Sequence, residues 1–471
     1  MHTSATSHDI DEVRRLSITD PRDGTPVGDL QVSDAADIDR AIARAREQQA
    51  RWAAQTPADR GAALRDMADR LEAHTDELAA WNERETGKLL DDAKGGIAAA
   101  VGTLRQYAEL GPLHRGHSLR GPATATDYSV REPRGVIAAI TPWNDPVAVA
   151  VGLIAAALVT GNTVVHKPSE RCPHTGRLLG DVLASALPDD VLLTVTGDAS
   201  TGEALVRDER IDMIAHVGSS DAGARIAAIA AERGAHVIRE NGGNDPLIVD
   251  QGIDPVWAAE QAALGSFANA GQICVSVERI YVHREIADAF LDALVGLAND
   301  HRWAAGQPLV DERMRTSVHD QVSEAVSAGA RVLAGGSVPA GPGAHYPATV
   351  LSGCTPAMRV MTEETFGPIA PVQVVDSFHE ALRLAAEGPY GLSAAVLTGR
   401  IDHAQDAIAR LPVGTVKVNG VFGGAPGGSA EPRGVSGAGF GYGPELLDEM
   451  TRVKVVHIER PRYAGDDGGA Q

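Results

Sequence analysis

From residue 136 onward the chain repeats one pattern that few architectures can satisfy. A short, almost wholly apolar run is followed by a polar or Gly-rich turn and then by a stretch of helical spacing. Residues 136–140, 162–166, 191–195, 213–217 and 236–239 read as strands, with helices over 146–158, 175–186, 201–208 and 222–231 between them. Apolar runs that do not alternate belong to strands covered on both faces, and strands joined through helices pair in parallel. The predicted fold class is therefore α/β with a doubly wound sheet. Such sheets bind ligands beyond the carboxyl ends of their strands. The turns there are polar and Gly-rich: TPWND, HKPSE, TGD and GSSDAG.

A second alternation follows Gly242 and Gly243. It reads as strands over 246–249, 278–282, 393–398 and 415–419, another apolar stretch reaching Val374, and helices over 257–265, 286–297, 379–387 and 404–411. This predicts a second doubly wound unit. Ahead of both, 36–48 and 58–82 show helical spacing with alternating charges, as amphipathic surface helices do. Residues 114–133 are Gly-rich and broken, with a strand-like piece at 127–130; 420–443 read as a Gly/Pro loop; 451–458 alternate like a terminal strand.

Composition narrows the function classes. The 471 residues carry 42 Lys+Arg against 63 Asp+Glu, a net charge of −21, which argues against a nucleic-acid partner. The longest apolar run, 147–159, is shorter than the ~18 residues a spanning helix needs, so no membrane role is expected. Residues 1–11 are polar and acidic and do not read as a secretion signal. Three cysteines, Cys172, Cys274 and Cys354, make no disulfide framework, and a cytoplasmic location is expected. No metal-binding spacing stands out, and no metal is expected.

Three residues invite chemistry, each with a plainer alternative. Cys274 follows Asn269-Ala270-Gly271-Gln272-Ile273, where small residues let a substrate approach the sulfur. A thiolate is a nucleophile, whereas a lone Cys is more commonly a small buried hydrophobe. Glu240 ends a strand just before Asn241-Gly242-Gly243. Burial would raise its pKa and make it a general base; otherwise it is a strand-end acid. Asn144 follows Trp143 at a strand's carboxyl end and is either an oxyanion donor or a turn residue before Pro146. The segment Gly218-Ser219-Ser220-Asp221-Ala222-Gly223 fits a phosphate at a helix N-terminus, or simply an N-cap serine.

Taken together these stretches resemble the aldehyde dehydrogenase superfamily over essentially the whole chain. The matching residues are Glu85-Thr86-Gly87-Lys88, Pro142-Trp143-Asn144, His166-Lys167-Pro168-Ser169-Glu170, Gly218-Ser219 with Gly223, and Glu240 with Gly242-Gly243. Asn269 with Gly271-Gln272 and Cys274, Glu364 with Phe366-Gly367-Pro368, Gly414 with Val416, Val418 and Asn419, and Ser436-Gly437 continue the series in the family's order. The resemblance implies an NAD(P)-dependent oxidation of an aldehyde to a free acid. Cys274 would be the nucleophile, forming a thiohemiacetal and then a thioester, with Glu240 as the base. Asn144 and the Cys274 N–H would form the oxyanion hole. Trp143, Lys167, Glu170, Gly218, Ser219, Gly223, Glu364 and Phe366 would hold the cofactor, with NAD preferred over NADP because Glu170 repels a 2′-phosphate. Residues 1–113 and 134–241 would form the NAD-binding domain and 242–435 the catalytic domain. Residues 114–133 and 447–471 would form a small β oligomerisation arm, giving a homodimer or homotetramer.

The chain departs from the family pattern at Asn241, at His216-Val217, at Asp145 and in the loop 425–437, which contains no Phe. Asp145 precedes Pro146 and a helix, as an N-cap acid does, and its charge near the substrate path would disfavour aldehydes ending in a carboxylate unless Arg433 offsets it. Two rivals remain. A CoA-acylating semialdehyde dehydrogenase of the same fold usually lacks the base that Glu240 supplies. A catalytically silent NAD-binding structural protein would not need all three chemical positions filled.

Overall fold

The computed structural model describes residues 14–300, 303, 307–424 and 428–461. Positions 1–13, 425–427 of the divergent loop and 462–471 of the expected arm lie outside the described residues.

The first alternation folds into one sheet. Its spatial order is Gly437–Ala438, His236–Glu240, Met213–Val217, Val136–Ile140, Thr163–Lys167 and Leu192–Thr194. The last five strands run parallel; Gly437–Ala438 returns antiparallel along Glu240 and Arg239. Ile137 and Ala139 face a core with Val164, Met213 and Ala215, while Val136, Ala138, Val165 and Ile214 face the opposite one. Both faces are dry, which is why these strands read as unbroken apolar runs.

The second alternation forms a seven-stranded sheet in the order Arg331–Ala334, Thr349–Ser352, Ile369–Val375, Val277–His283, Asp245–Val249, Ser393–Leu397 and Thr415–Val418. Only Arg331–Ala334 is antiparallel to its neighbour. The strand Asp245–Val249, next to the central one, contains Pro246, which has no N–H to give, and its register with Val277–His283 slips between Asp245 and Pro246. A third sheet pairs Thr451–Ile458 with Thr126–Pro133 and that strand with Ser118–Leu119. The strand-like piece at 127–130 is thus a full eight-residue strand.

Three features differ from the sequence expectation. The stretch 58–82 breaks at His74 into helices Pro57–Ala73 and Thr75–Thr86. Helix Leu90–Leu110 was hidden by Gly95 and Gly96, yet it buries Ala93, Ile97, Val101 and Leu104 along one face. A helix at Glu312–Ser327 and strands Arg331–Ala334 and Thr349–Ser352 lie between the helix expected at 286–297 and Val374, where the second alternation was expected to continue with no element named. Among the described residues no helix is long and apolar enough to cross a membrane.

Candidate active site

A cavity of about 630 Å³ opens at the carboxyl ends of the first sheet. Its wall includes Trp143, Asn144, Lys167, Glu170, Gly218, Ser219, Glu240, Cys274, Glu364 and Phe366. Residues from six stretches of sequence therefore meet in one cleft. Gly223 is not on this wall. It lies one turn into the helix, where a Cβ would run into the Asn241 amide.

The first-sheet wall is regular. Ser219 caps helix Ser220–Glu232, its hydroxyl accepting from the Ala222 N–H at 3.3 Å. The helix N-terminus and its partial positive charge open on the cavity, and an N-cap hydroxyl can still donate to an anion. Lys167 ends its strand nearly buried, donates to the Pro168 carbonyl at 3.0 Å and pairs with Glu170 at 3.6 Å. Burial lowers the Lys167 pKa, and Glu170 opposes that shift. His216 also lines the cavity; burial takes it down to about 4, so its imidazole is neutral. Asn241 Oδ1 is buried on the same wall without a hydrogen-bond partner. An unsatisfied acceptor, an open helix N-terminus and a Lys–Glu pair at a strand end form a donor and acceptor set that fits a ribose–diphosphate cofactor.

The facing wall is irregular. Asn269 and Ala270 both have φ above +50°, and Gly271 follows at +72°. A Cβ at Gly271 would run into the Gly367 carbonyl, so glycine there lets the Cys274 loop lie on the loop carrying Glu364 and Phe366. Phe366 is itself left-handed, at φ 54°. It is held there by the buried Glu278 carboxylate, which accepts from the Phe366 N–H at 2.8 Å and the Thr365 N–H at 2.9 Å. Phe366 meets Trp143 edge-on, with centroids 5.6 Å apart.

Around the sulfur, which is half-buried, the environment is acidic. Burial raises the Cys274 thiol pKa, and Glu240, Asp245 and Glu364 add to it, while the Val275 N–H works against it. The thiol therefore rests protonated, and its activation needs a base. Burial pushes Glu240 up to about 7, within reach of neutral pH. Its carboxylate lies against the backbone of Gly441, where a Cβ would collide with Oε2. The Gly/Pro loop 420–443 thus packs on Glu240 through glycine, with Tyr442 beside it close to Glu240 and Cys274. The Asn144 amide donates to the Gln272 carbonyl at 3.1 Å, next to Cys274 in the chain.

Sequence reasoning missed several groups here. Glu278 and Asp245 carry no motif and only their burial marks them; half-buried Lys417 lies close enough to Asp245 to feel its charge. Arg171, Arg313 and Met314 line the cavity, and Arg171 lies over the Trp143 ring at 5.2 Å. The expectation for Asp145 is corrected. It stands at the N-cap position but its side chain caps nothing, and it is not on the cavity wall. It pairs with Lys88 at 3.4 Å, which offsets the charge expected to repel carboxylate substrates. Arg433 pairs through its backbone with Gly391 and is exposed, away from the cavity wall.

Comparison with known proteins agrees with this geometry. A family model described as "Aldehyde dehydrogenase family" matches residues 9–456. A benzaldehyde dehydrogenase [NAD(+)] of Pseudomonas putida is 33% identical over 467 residues, covering 94% of this chain and 93% of that protein. The crystal structure of an NAD-dependent aldehyde dehydrogenase from Sinorhizobium meliloti superposes with TM-score 0.92 at 31% identity, covering 97% and 93% of the two chains. An E. coli NADP-dependent enzyme superposes with TM-score 0.91 at 28% identity, covering 95% of each.

Proposed function

The chain belongs to the aldehyde dehydrogenase family, and from that premise we propose which of its residues carry out NAD(P)-dependent oxidation of an aldehyde to its acid. The observation that carries the reading is that Cys274, Glu240 and Asn144 share one cavity with the cofactor-type residues.

Cys274 is the nucleophile. Its thiol gives its proton to water in the cavity as the sulfur adds to the aldehyde carbon, and the Asn144 amide with the Cys274 N–H stabilises the oxyanion of the thiohemiacetal; one such donor is worth on the order of 10²–10³ in rate. NAD(P)+, when bound, would supply the hydride acceptor, so that loss of hydride from the thiohemiacetal carbon re-forms the carbonyl and leaves a thioester on Cys274. Glu240 then takes a proton from water as that water attacks the Cys274 thioester, and the C–S bond breaks to free the acid and the thiol. Because Glu240 is pushed up to about 7, its ionised, active form gains population as pH rises through neutrality.

Ser219, Gly218 and the helix they open hold the diphosphate, with Gly223 keeping that helix close to Asn241. Lys167 and Glu170 bind the adenine-side ribose, Glu364 the other ribose, and Trp143 and Phe366 flank the ring. NAD is preferred over NADP: Glu170 would repel a 2′-phosphate, and the Lys167 charge is already matched by Glu170. Residues 1–113 with 134–241 form the cofactor domain and 242–435 the catalytic domain. Thr451–Ile458 lies at the outer edge of its sheet with Val453 and Val455 exposed at 56% and 64%, and 114–133 with 447–471 assemble a homodimer or homotetramer through it. Three free cysteines fit a reducing cytoplasm.

The test is a panel of aldehydes with NAD+ and no CoA, following both NADH and carboxylate. Acid formed stoichiometrically with NADH supports the reading. Turnover only on adding CoA would point to an acylating enzyme, and no turnover at all to a silent binding protein.

A further inference from the structure

Lys88 is distant in sequence from the site and is not on the cavity wall. Its side chain is 8% exposed, and its ammonium reaches two acceptors on one turn: the Asn144 carbonyl at 3.3 Å and Asp145 Oδ1 at 3.4 Å. The same Asn144 carbonyl lies 3.5 Å from Asn269 Nδ2. Asn269 Nδ2 also donates to the Gln272 carbonyl at 3.0 Å, the carbonyl that accepts from the Asn144 side chain. Asn144 is therefore tied at both ends, its backbone to Lys88 and its amide to the loop that carries Cys274. Room for the Lys88–Asp145 pair is built in, because a Cβ at Gly96 in the neighbouring helix would press on Asp145 Oδ1.

We propose that Lys88, with Asp145 as its counter-ion, is a positioning residue for Asn144, fixing the turn so that the Asn144 amide faces the oxyanion. This rests on the reading of Asn144 as the oxyanion donor. Such a donor works only through placement, and a 1 Å error in placement costs on the order of 10²-fold in rate. A charged donor on the turn's carbonyl is about twice as strong as a neutral one, which suits it to hold that turn. The departure of Asp145 from the family pattern then has a reason: it balances a cation that would otherwise be buried alone.

The experiment is single-turnover NADH formation in Lys88→Met, Asn144→Ala and the double variant, beside alkylation of Cys274 by iodoacetamide, which forms no oxyanion. Lys88→Met slows NADH formation about 10- to 100-fold, leaves the cofactor KM and the alkylation rate unchanged, and adds nothing in the Asn144→Ala background. Lys88→Arg keeps most of the rate. Losses that multiply in the double variant, or a Lys88→Met rate equal to wild type while Asn144→Ala is slow, overturn the proposal. An Asn144→Ala rate equal to wild type overturns the reading beneath it. Should Lys88→Met not fold, Asp145→Asn shows the same non-additive pattern at smaller amplitude, and additivity there is equally fatal.

Discussion

On the wall formed by the first sheet, Lys167, Glu170 and Ser219 stand at the ends of regular strands and helices. On the facing wall, Cys274, Glu364 and Phe366 hang on turns where Asn269, Ala270 and Phe366 hold positive φ without being glycine. The first wall needs only shape and partial charge, and strand ends supply both. The second carries the Cys274 thiol on a turn and must present it to Glu240 and Asn144, which stand at the carboxyl ends of first-sheet strands. It does so with strained backbone, each such residue costing of order 1–3 kcal/mol, and the buried Glu278 carboxylate holds Phe366 in place. Backbone strain therefore sits on the wall that carries the thiol and is sparse on the first-sheet wall.

Substitutions on the two walls should differ in kind. The largest effect falls on the chemical wall: Cys274→Ala abolishes aldehyde oxidation while NADH binding, followed by fluorescence, stays near wild type. Cys172→Ala and Cys354→Ala keep most activity, since both thiols are buried away from the cavity. Loss of cofactor binding in Cys274→Ala would blur the division between the walls.

Glu278→Gln comes next. It replaces an acceptor of two backbone N–H groups by an amide with one oxygen, leaving a buried N–H unsatisfied at a cost of about 1–3 kcal/mol. Thermal unfolding should show that loss, and kcat should fall with it as Phe366 leaves its left-handed conformation. A Glu278→Gln protein of unchanged stability would mean the strained loop needs no such support.

The smallest effect belongs to the binding wall. Glu170→Gln removes the charge that repels a 2′-phosphate but keeps hydrogen-bonding capacity, so the NAD to NADP ratio of kcat/KM narrows by about ten-fold, the equivalent of ~1.4 kcal/mol, with kcat almost unmoved. An unchanged ratio would move cofactor selection to other residues, with Arg171 and Arg313 on the same cavity as the first candidates.

The same contrast governs what the sequence could reveal. The strand Met213–Val217 and the terminal strand Thr451–Ile458 match their expected bounds because apolar period is a local property. That the turns holding Ser219 and Glu170 face the cavity was legible because strand–turn–helix geometry dictates where a ligand lies, whereas the roles expected of the two residues came only from the resemblance. Cys274, Glu240 and Asn144 were legible only through the order of short motifs, since each residue alone has a commoner structural explanation. Glu278 was not legible, because its importance comes from burial that only the folded chain creates. Helix Leu90–Leu110 was obscured by glycines that cost helix propensity of roughly 1 kcal/mol each, and one of them, Gly96, makes way for Asp145. The capping expectation for Asp145 failed for a related reason: Lys88, 57 residues earlier in the chain by the difference of the two numbers, competes for the carboxylate and wins.

The central claim is that Cys274 carries the acyl group and Glu240 releases it. Stopped-flow mixing of Glu240→Gln with aldehyde and NAD+ tests it most directly, with the trapped species located by peptide mass analysis. The account predicts a rapid NADH burst of one equivalent per active site, slow turnover afterwards, and an acyl adduct on the Cys274 peptide. In the wild type, where the base titrates at about 7, the steady rate should rise as pH passes through that value if thioester hydrolysis is limiting. A uniformly slow reaction without a burst, or an adduct on Cys172 or Cys354, would contradict it.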